Sequence, residues 1–403
     1  MNRAAVPTES LARLFLRFLK FGSLAWGGPV AQIAMIRQEL VDEEKWVTSE
    51  HFDRVLAVYQ VLPGPEAHEL CVYFGMLSRG RVGGILAGLG FMLPGFILMF
   101  LLSWLYVRFG LKADGAGGAV FAAVQAAVAA LIVRAVHRIG GHALTDRWLW
   151  TIAILATAAQ ILGVHFGVTL IAAGVVYLLA RQRTRLAAIL IVACIIGLAV
   201  WAASRGFEVA ALASSADIRE GAAQEQRSLW QLFISGLKAG MLTFGGAYTV
   251  IPFLQNDAVT EGAWMSNSQF LDGLALSGLL PAPLIIFATF VGYLGGGALG
   301  AVVLTVGIFL PAFVFTLAAH EPLERLVHQP RVRLFLEGVT AGVVGLIAGT
   351  TIALLIVSIV SVPAAVVFAL ALGALFYSSA KLVVPLVIAG AIAIGFVLAM
   401  LTG

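Results

Sequence analysis

Glu66, His68 and Glu69 follow directly on Leu62-Pro63-Gly64-Pro65 and run straight into an apolar stretch. Glu66 and Glu69 are spaced i, i+3 and share one face of any helix that starts after the prolines. Ionisable groups inside an apolar span are costly and functional by default, and a carboxyl in such a place suits proton coupling. The trio therefore reads as a coupling site, with an alternative in which Glu66 only caps the N-terminus of its own helix. A metal site is not expected, because no second histidine stands at ligand spacing.

The prolines themselves point to anion chemistry. Pro63 and Pro65, at i and i+2, cannot continue a helix, so the chain is extended there and a new helix begins with unpaired N–H groups and a positive dipole end. With Gly64 between them, that is a ready anion site. The same break recurs at Leu280-Pro281-Ala282-Pro283. Upstream, Trp26-Gly27-Gly28-Pro29 is matched by Phe244-Gly245-Gly246, a second pair of interruptions within apolar spans. Lys20 and Lys238 stand six residues before Trp26 and Phe244 and could flank a doubly charged anion. The substrate-binding candidates are thus Lys20, Gly27, Gly28, Pro63, Gly64, Pro65, Lys238, Gly245, Gly246, Pro281 and Pro283. Each has a plainer alternative: a simple kink at the prolines, close helix packing at the glycines, snorkelling at the lysines. Arg79, Arg81, Arg134 and Arg138 are further cations, and Asp272 is a carboxylate that could pair with any of them.

The elements that must position these residues are membrane helices. Hydrophobic residues make up 61% of the 403, charged residues 11%, and the mean hydropathy is +0.99. Lipid offers no partner to backbone N–H and C=O groups, so spans are helices or closed barrels. The apolar runs are about 20 residues long and do not alternate, which selects helices. Thirteen candidate spans follow, at about 18–36, 55–77, 82–107, 118–138, 148–163, 166–180, 186–203, 231–254, 270–294, 297–319, 334–358, 361–377 and 382–402. Helix starts are marked at Thr48/Ser49 and at the capping box Ser266-x-x-Gln269. The net charge of +4 reflects Lys and Arg in cytoplasmic loops and does not call for a nucleic-acid partner. The loop bias favours an inside N-terminus and an outside C-terminus. No cleavable signal peptide is expected. Cys71 and Cys194 lie in apolar runs and read as packing residues.

The spans repeat. Lys20, Gly22, Leu24, Gly27, Gly28, Trp46, Phe52, Leu62, Pro63 and Pro65 return 218 positions later as Lys238, Gly240, Leu242, Gly245, Gly246, Trp264, Phe270, Leu280, Pro281 and Pro283. Leu93-Pro94 returns as Leu310-Pro311, and Val124, Ala126 and Val128 as Val339, Ala341 and Val343. The fold expected is an all-α polytopic membrane protein of two six-span repeats, 1–185 and 230–403, with a joining span and polar linker at 186–229. Seven spans separate the two starts, an odd number, so the repeat is inverted. If the first element of each half re-enters instead of crossing, the count is six and the halves are parallel. Small-residue stripes such as Gly84-x-x-x-Gly88 read as tight contacts within the bundle, with a homodimer seam as the alternative. No Walker A loop, dinucleotide fingerprint or nucleophile elbow is present, so neither ATP use nor enzymatic catalysis is expected, and no cofactor.

Phe21-Gly22 with Trp26-Gly27-Gly28-Pro29, Tyr59-Gln60-Val61-Leu62-Pro63-Gly64-Pro65-Glu66-Ala67-His68-Glu69-Leu70 and Phe91-Met92-Leu93-Pro94-Gly95 together resemble the chromate ion transporter (CHR) family. So do Phe244-Gly245-Gly246-Ala247-Tyr248 and Leu276-Ser277-Gly278-Leu279-Leu280-Pro281-Ala282-Pro283 in the second half. The length resembles the two-domain, long-chain type. The resemblance implies a multi-pass protein of the bacterial inner membrane that exports chromate and confers resistance, with sulfate as a chemical look-alike. Sulfate-type uptake on the same scaffold is the alternative. Ala282 replaces Gly64 in the second copy, which departs from an identical role for the two breaks.

Overall fold

In the computed structural model the described residues are 6–26, 28–60, 62–109, 116–205, 227–244, 247–318, 329–378, 380 and 382–402. They hold fifteen α-helices and no strand. The first half comprises α1 (Leu11–Ser23), α2 (Gly28–Ile36), α3 (Ser49–Tyr59), α4 (Glu66–Phe109), α5 (Ala116–Ala143), α6 (Arg147–Ile161) and α7 (Phe166–Gln182). α8 (Thr184–Arg205) is the joining span. The second half comprises α9 (Leu229–Met241), α10 (Val250–Gln255), α11 (Asn267–Gly278), α12 (Ala288–Ala318), α13 (Pro330–Ser358), α14 (Val362–Tyr377) and α15 (Val383–Thr402). The protein is an all-helical polytopic membrane protein, with long apolar helices able to cross a bilayer. Most of the polar linker lies outside the described residues.

The helix starts follow the expected chemistry. Thr48 accepts from the His51 N–H at the start of α3, and Ser266 and Gln269 form the anticipated capping box on α11. A second box, Ser228 with Gln231, opens α9.

The largest correction concerns the spans placed at 18–36, 55–77, 231–254 and 270–294, which do not run straight through. α1 ends at Ser23 and the chain turns back before α2. Lys20 Nζ then lies 3.0 Å from Glu39, nineteen residues on. An unbroken helix would separate those residues by roughly 28 Å. The next unit reverses in the same way. His51 of α3 meets the Tyr73 hydroxyl at 2.7 Å, and the Phe52 and Phe74 rings stack 6.3 Å apart. In the second half Lys238 pairs with Asp257, again nineteen residues away, and the Phe270 and Phe287 rings meet edge to face at 4.9 Å. The apolar runs are long enough to cross, but Gly and Pro breaks at their centres let each fold back on itself.

α4 is likewise a hairpin. Its arms, 66–78 and 81–109, meet at a sharp turn where Gly80 takes φ +60, a conformation that needs glycine. Gly75 and Gly83 face each other so closely that a Cβ on either would strike the other's carbonyl. α12 repeats this 217 residues on, with Gly297 at φ +61 and Gly292 against Gly300. The long arms, 81–109 and 298–318, coincide with the expected spans at 82–107 and 297–319. Other irregularities recur too. π-Helical turns at Arg37–Glu43 and Asn256–Glu261 each lead to a left-handed residue, Lys45 and Ala263.

Two groups of helices result. α1 packs on α4 and α9 on α12, with α4 and α12 side by side. The later helices exchange partners between halves: α5 packs against α14 and α15, and α13 against α6 and α7.

Candidate functional site

The two proline breaks meet the other half of the chain. The Gly64 N–H donates to the Thr243 carbonyl at 2.8 Å, joining the first proline break to the strand of chain that enters the second Gly-Gly break. Ala282, in the second proline break, packs against Gly95 of α4. Gly27, Gly245 and Gly246 lie outside the described residues; Gly28 is described, at φ +77.

Pro63 and Pro65 do end the preceding helix, and α4 begins at Glu66 as expected. The His68 and Glu69 N–H groups bond back to the Pro65 carbonyl at 2.8 and 3.1 Å. Among the described residues Glu66 and Ala67 keep the unbonded N–H groups of the helix start. The second copy differs. After Pro281 and Pro283 the chain enters a 3-10 turn, Leu284–Phe287, and the Ile286 N–H bonds to the Pro283 carbonyl at 3.0 Å. With apolar Leu284 and Phe287 in place of the acids, tightened backbone bonds satisfy groups that side chains could otherwise cap. The expected mirror-image helix start is therefore not reproduced.

Glu66, His68 and Glu69 are all buried, at 8%, 0% and 0% exposure. Neither Glu69 oxygen nor either ring nitrogen of His68 has a hydrogen-bond partner of ordinary geometry among the described residues. His68, on α4, packs against α12, its ring 4.9 Å from that of Phe309 and 4.8 Å from that of Phe313. The Glu69 carboxylate fills the space beside Gly64, where a Cβ would come within 2.7 Å of Oε1. Glu66 stands within reach of the Arg138 charge.

Lys20 and Lys238 are both ion-paired, with Glu39 and Asp257. The acid is repeated along with the lysine, 218 residues apart. Asp257 also accepts from Ser235 at 2.8 Å. Around the first pair, Arg17 bridges Glu9, Glu39 and Glu44. Burial works against ionisation of Glu44, but hydrogen bonds from Arg17 and Trp46 outweigh it and hold the carboxyl below its ordinary range.

Two features escaped the sequence. Among the described residues Asp272 pairs with no arginine; it accepts from the Tyr106 hydroxyl at 2.7 Å and from Gln125 at 2.9 Å, a buried knot tying α11 to α4 and α5. The partners lie 166 and 147 residues away, beyond any local pattern. The second is a cavity of about 710 Å³ that Arg134, Arg138 and Tyr248 line together. Arg134 and Arg138 were visible as cations, and Tyr248 as the residue two beyond Gly246, but not their convergence.

Broken helices brought together from two matched halves, around buried carboxyls and a cationic cavity, define a multi-pass membrane transporter. The chain belongs to the chromate transporter family, whose family model matches residues 12–200 and 230–396. Among its relatives is the chromate transport protein of Pseudomonas aeruginosa, 56% identical over 97% of this chain and 93% of that protein. The chromate transport protein of Cupriavidus metallidurans is 33% identical over 97% of this chain and 94% of its own. An uncharacterized transporter of Methanocaldococcus jannaschii is 26% identical over 89% of this chain. No solved structure matches the chain.

Proposed function

We propose that this protein exports chromate across the bacterial inner membrane as a secondary active transporter and so confers chromate resistance. Its relatives over nearly the full length are named for chromate transport. The single observation that carries the mechanistic reading is the hydrogen bond from Gly64 to Thr243. It places the proline break of one half against the chain entering the Gly-Gly break of the other, which is where interrupted helices of repeat transporters hold their substrate.

Chromate is a tetrahedral dianion. Free N–H groups at the start of α4, with Gly27, Gly28, Pro63, Gly64 and Pro65 from one half and Gly245, Gly246, Pro281 and Pro283 from the other, suit a ligand recognised by charge and shape. Lys20 and Lys238, each held by a carboxylate, act by pinning the hairpins that carry these breaks. Glu66 and Glu69, with His68 beside them, carry the coupling proton. An inside-negative potential favours export by about 2.3 kcal/mol per charge per 100 mV, so about 4.6 kcal/mol for a dianion at 100 mV.

Everted membrane vesicles from cells expressing the protein test this directly. Energised vesicles should accumulate radiolabelled chromate, with unlabelled sulfate competing. Accumulation by right-side-out cells instead would reverse the assigned direction, and no chromate flux in either preparation would refute the proposal.

A further inference from the structure

The end of α5 carries Arg134, His137, Arg138 and His142, all lining the cavity of about 710 Å³. Ala31 and Ala34 of α2 form another wall, and Tyr248 closes it from the second half. Arg134 is half-buried and donates to the Ser378 carbonyl at 3.1 Å. Among the described residues neither Arg134 nor Arg138 forms an ion pair. Most basic side chains of the first hairpin are, by contrast, committed to acids: Arg17, Lys20 and Arg37 all have carboxylate partners.

The repeat maps this cavity onto a second one. At the α5-to-α13 spacing of 215, Arg134, Ala135, His137 and Arg138 correspond to Gly349, Thr350, Ile352 and Ala353. Those four residues line another cavity, of about 610 Å³, together with Gln160 and Gln255. The scaffold is duplicated, but the paired arginines are not.

We propose that the Arg134–Arg138 cavity is the receiving site for a doubly charged tetrahedral oxyanion, and that its repeat-related mate is the chamber through which the ion leaves. This rests on reading the chain as an oxyanion transporter. Two guanidinium groups at i, i+4 share a helix face. Each offers a planar fork of donors matched to the edge of a tetrahedral oxyanion. Tyr248 supplies a further hydroxyl donor, and Glu66, at the start of α4, lies within the field of Arg138. Beyond the site the ion meets amides and a hydroxyl at Gln160, Gln255 and Thr350 without the arginine pair, and the carboxylate of Glu261 on the same lining repels it. Those groups hydrate a dianion without holding it, so release is fast. In the orientation set by the loop charges, α5 ends on the cytoplasmic side, which is where an exported ion must enter.

The test compares wild type, Arg134→Gln, Arg138→Gln and the double variant in everted vesicles, with Arg147→Gln as a control for an exposed arginine outside the cavity, at the start of α6. Purified proteins are followed in parallel for protection against heat by chromate. Each single variant should raise the half-saturating chromate concentration at least tenfold, and the double variant should lose thermal protection, with Arg147→Gln unchanged. Ala353→Arg, which puts a cation in the mate, should lower half-saturation and slow turnover. If wild type transports chromate and the double variant matches it in half-saturation and protection, the receiving site is refuted while the transport reading stands. Unchanged turnover in Ala353→Arg refutes the exit chamber. A wild type that neither transports chromate nor is protected by it overturns both readings.

Discussion

Gly64 and Glu69 explain each other. The carboxylate occupies the space where a side chain at position 64 would sit, so the acid requires the glycine. In the second half the same two positions carry Ala282 and Phe287, a methyl group and an apolar ring with no charge to house. The repeat has thus kept the proline break in both copies and the acid in one, which suits a single proton path serving a single ion. Glu66, one turn earlier, is the more accessible of the pair, at 8% exposure against 0%. A relay needs such an order: an outer group that meets the ion's surroundings and an inner one that exchanges with it. Glu66→Gln and Glu69→Gln should each cut energised chromate accumulation at least tenfold, while solubilised protein elutes and melts like wild type. Accumulation at the wild-type rate in either variant would remove that residue from coupling. Gly64→Ala should resemble Glu69→Gln, because its methyl group would displace the carboxylate.

At the scale of elements, the matched ion pairs hold the broken helices in their folded-back form. Lys238–Asp257 is the better buried, with side-chain exposures of 31% and 8%, against 59% and 23% for Lys20–Glu39. Exposed pairs contribute about 0–1 kcal/mol, whereas removing one partner of a buried pair strands a charge and costs about 3–5 kcal/mol. Lys238→Ala should therefore lower the melting temperature clearly, and Lys20→Ala hardly at all. Lys238→Ala combined with Asp257→Ala should recover part of the loss in a double-mutant cycle; additive losses would show that the pair does not act as a unit. The same pairs mark what the sequence could and could not disclose. The interruptions at Pro63, Pro65, Pro281 and Pro283 were legible because proline forbids helix by its own geometry. The capping box at Ser266 and Gln269 was legible because it is local. Reversal was not. Hydropathy measures how long an apolar run is, not which way the chain travels, and Glu39 reads as one of several acids in a loop until its lysine is found beside it. Even the offset of 218, which matched Lys20 to Lys238, matched Glu39 to Asp257 as well, and that second match carried the missing information. The convergence of Arg134 with Tyr248 depended on packing between halves, which no spacing within one half encodes.

The reversals change how the whole molecule is threaded. Folding back the first element alone would leave six crossings between the starts of the two halves, and the halves would be parallel. Both early units of each half fold back, however, since His51 meets Tyr73 as surely as Lys20 meets Glu39. Counting the long arm of α4, then α5, α6, α7 and α8 as the crossings that remain gives an odd number, which predicts that the second half enters from the opposite face. The exchange of helices fits that symmetry: α5 lies against α14 and α15 just as α13 lies against α6 and α7. Opposed halves would set the two cavities facing opposite sides, as alternating access requires. Corresponding loops decide the matter. Thr145, between α5 and α6, and Ser361, between α13 and α14, are both exposed. In a background with Cys194 replaced by serine, and with Cys71 buried, Thr145→Cys should react with an impermeant maleimide only from the cytoplasmic side. Ser361→Cys should react only from the periplasmic side. Labelling of both from one side would make the halves parallel, and the two cavities would then open onto the same compartment, leaving the dianion no route across.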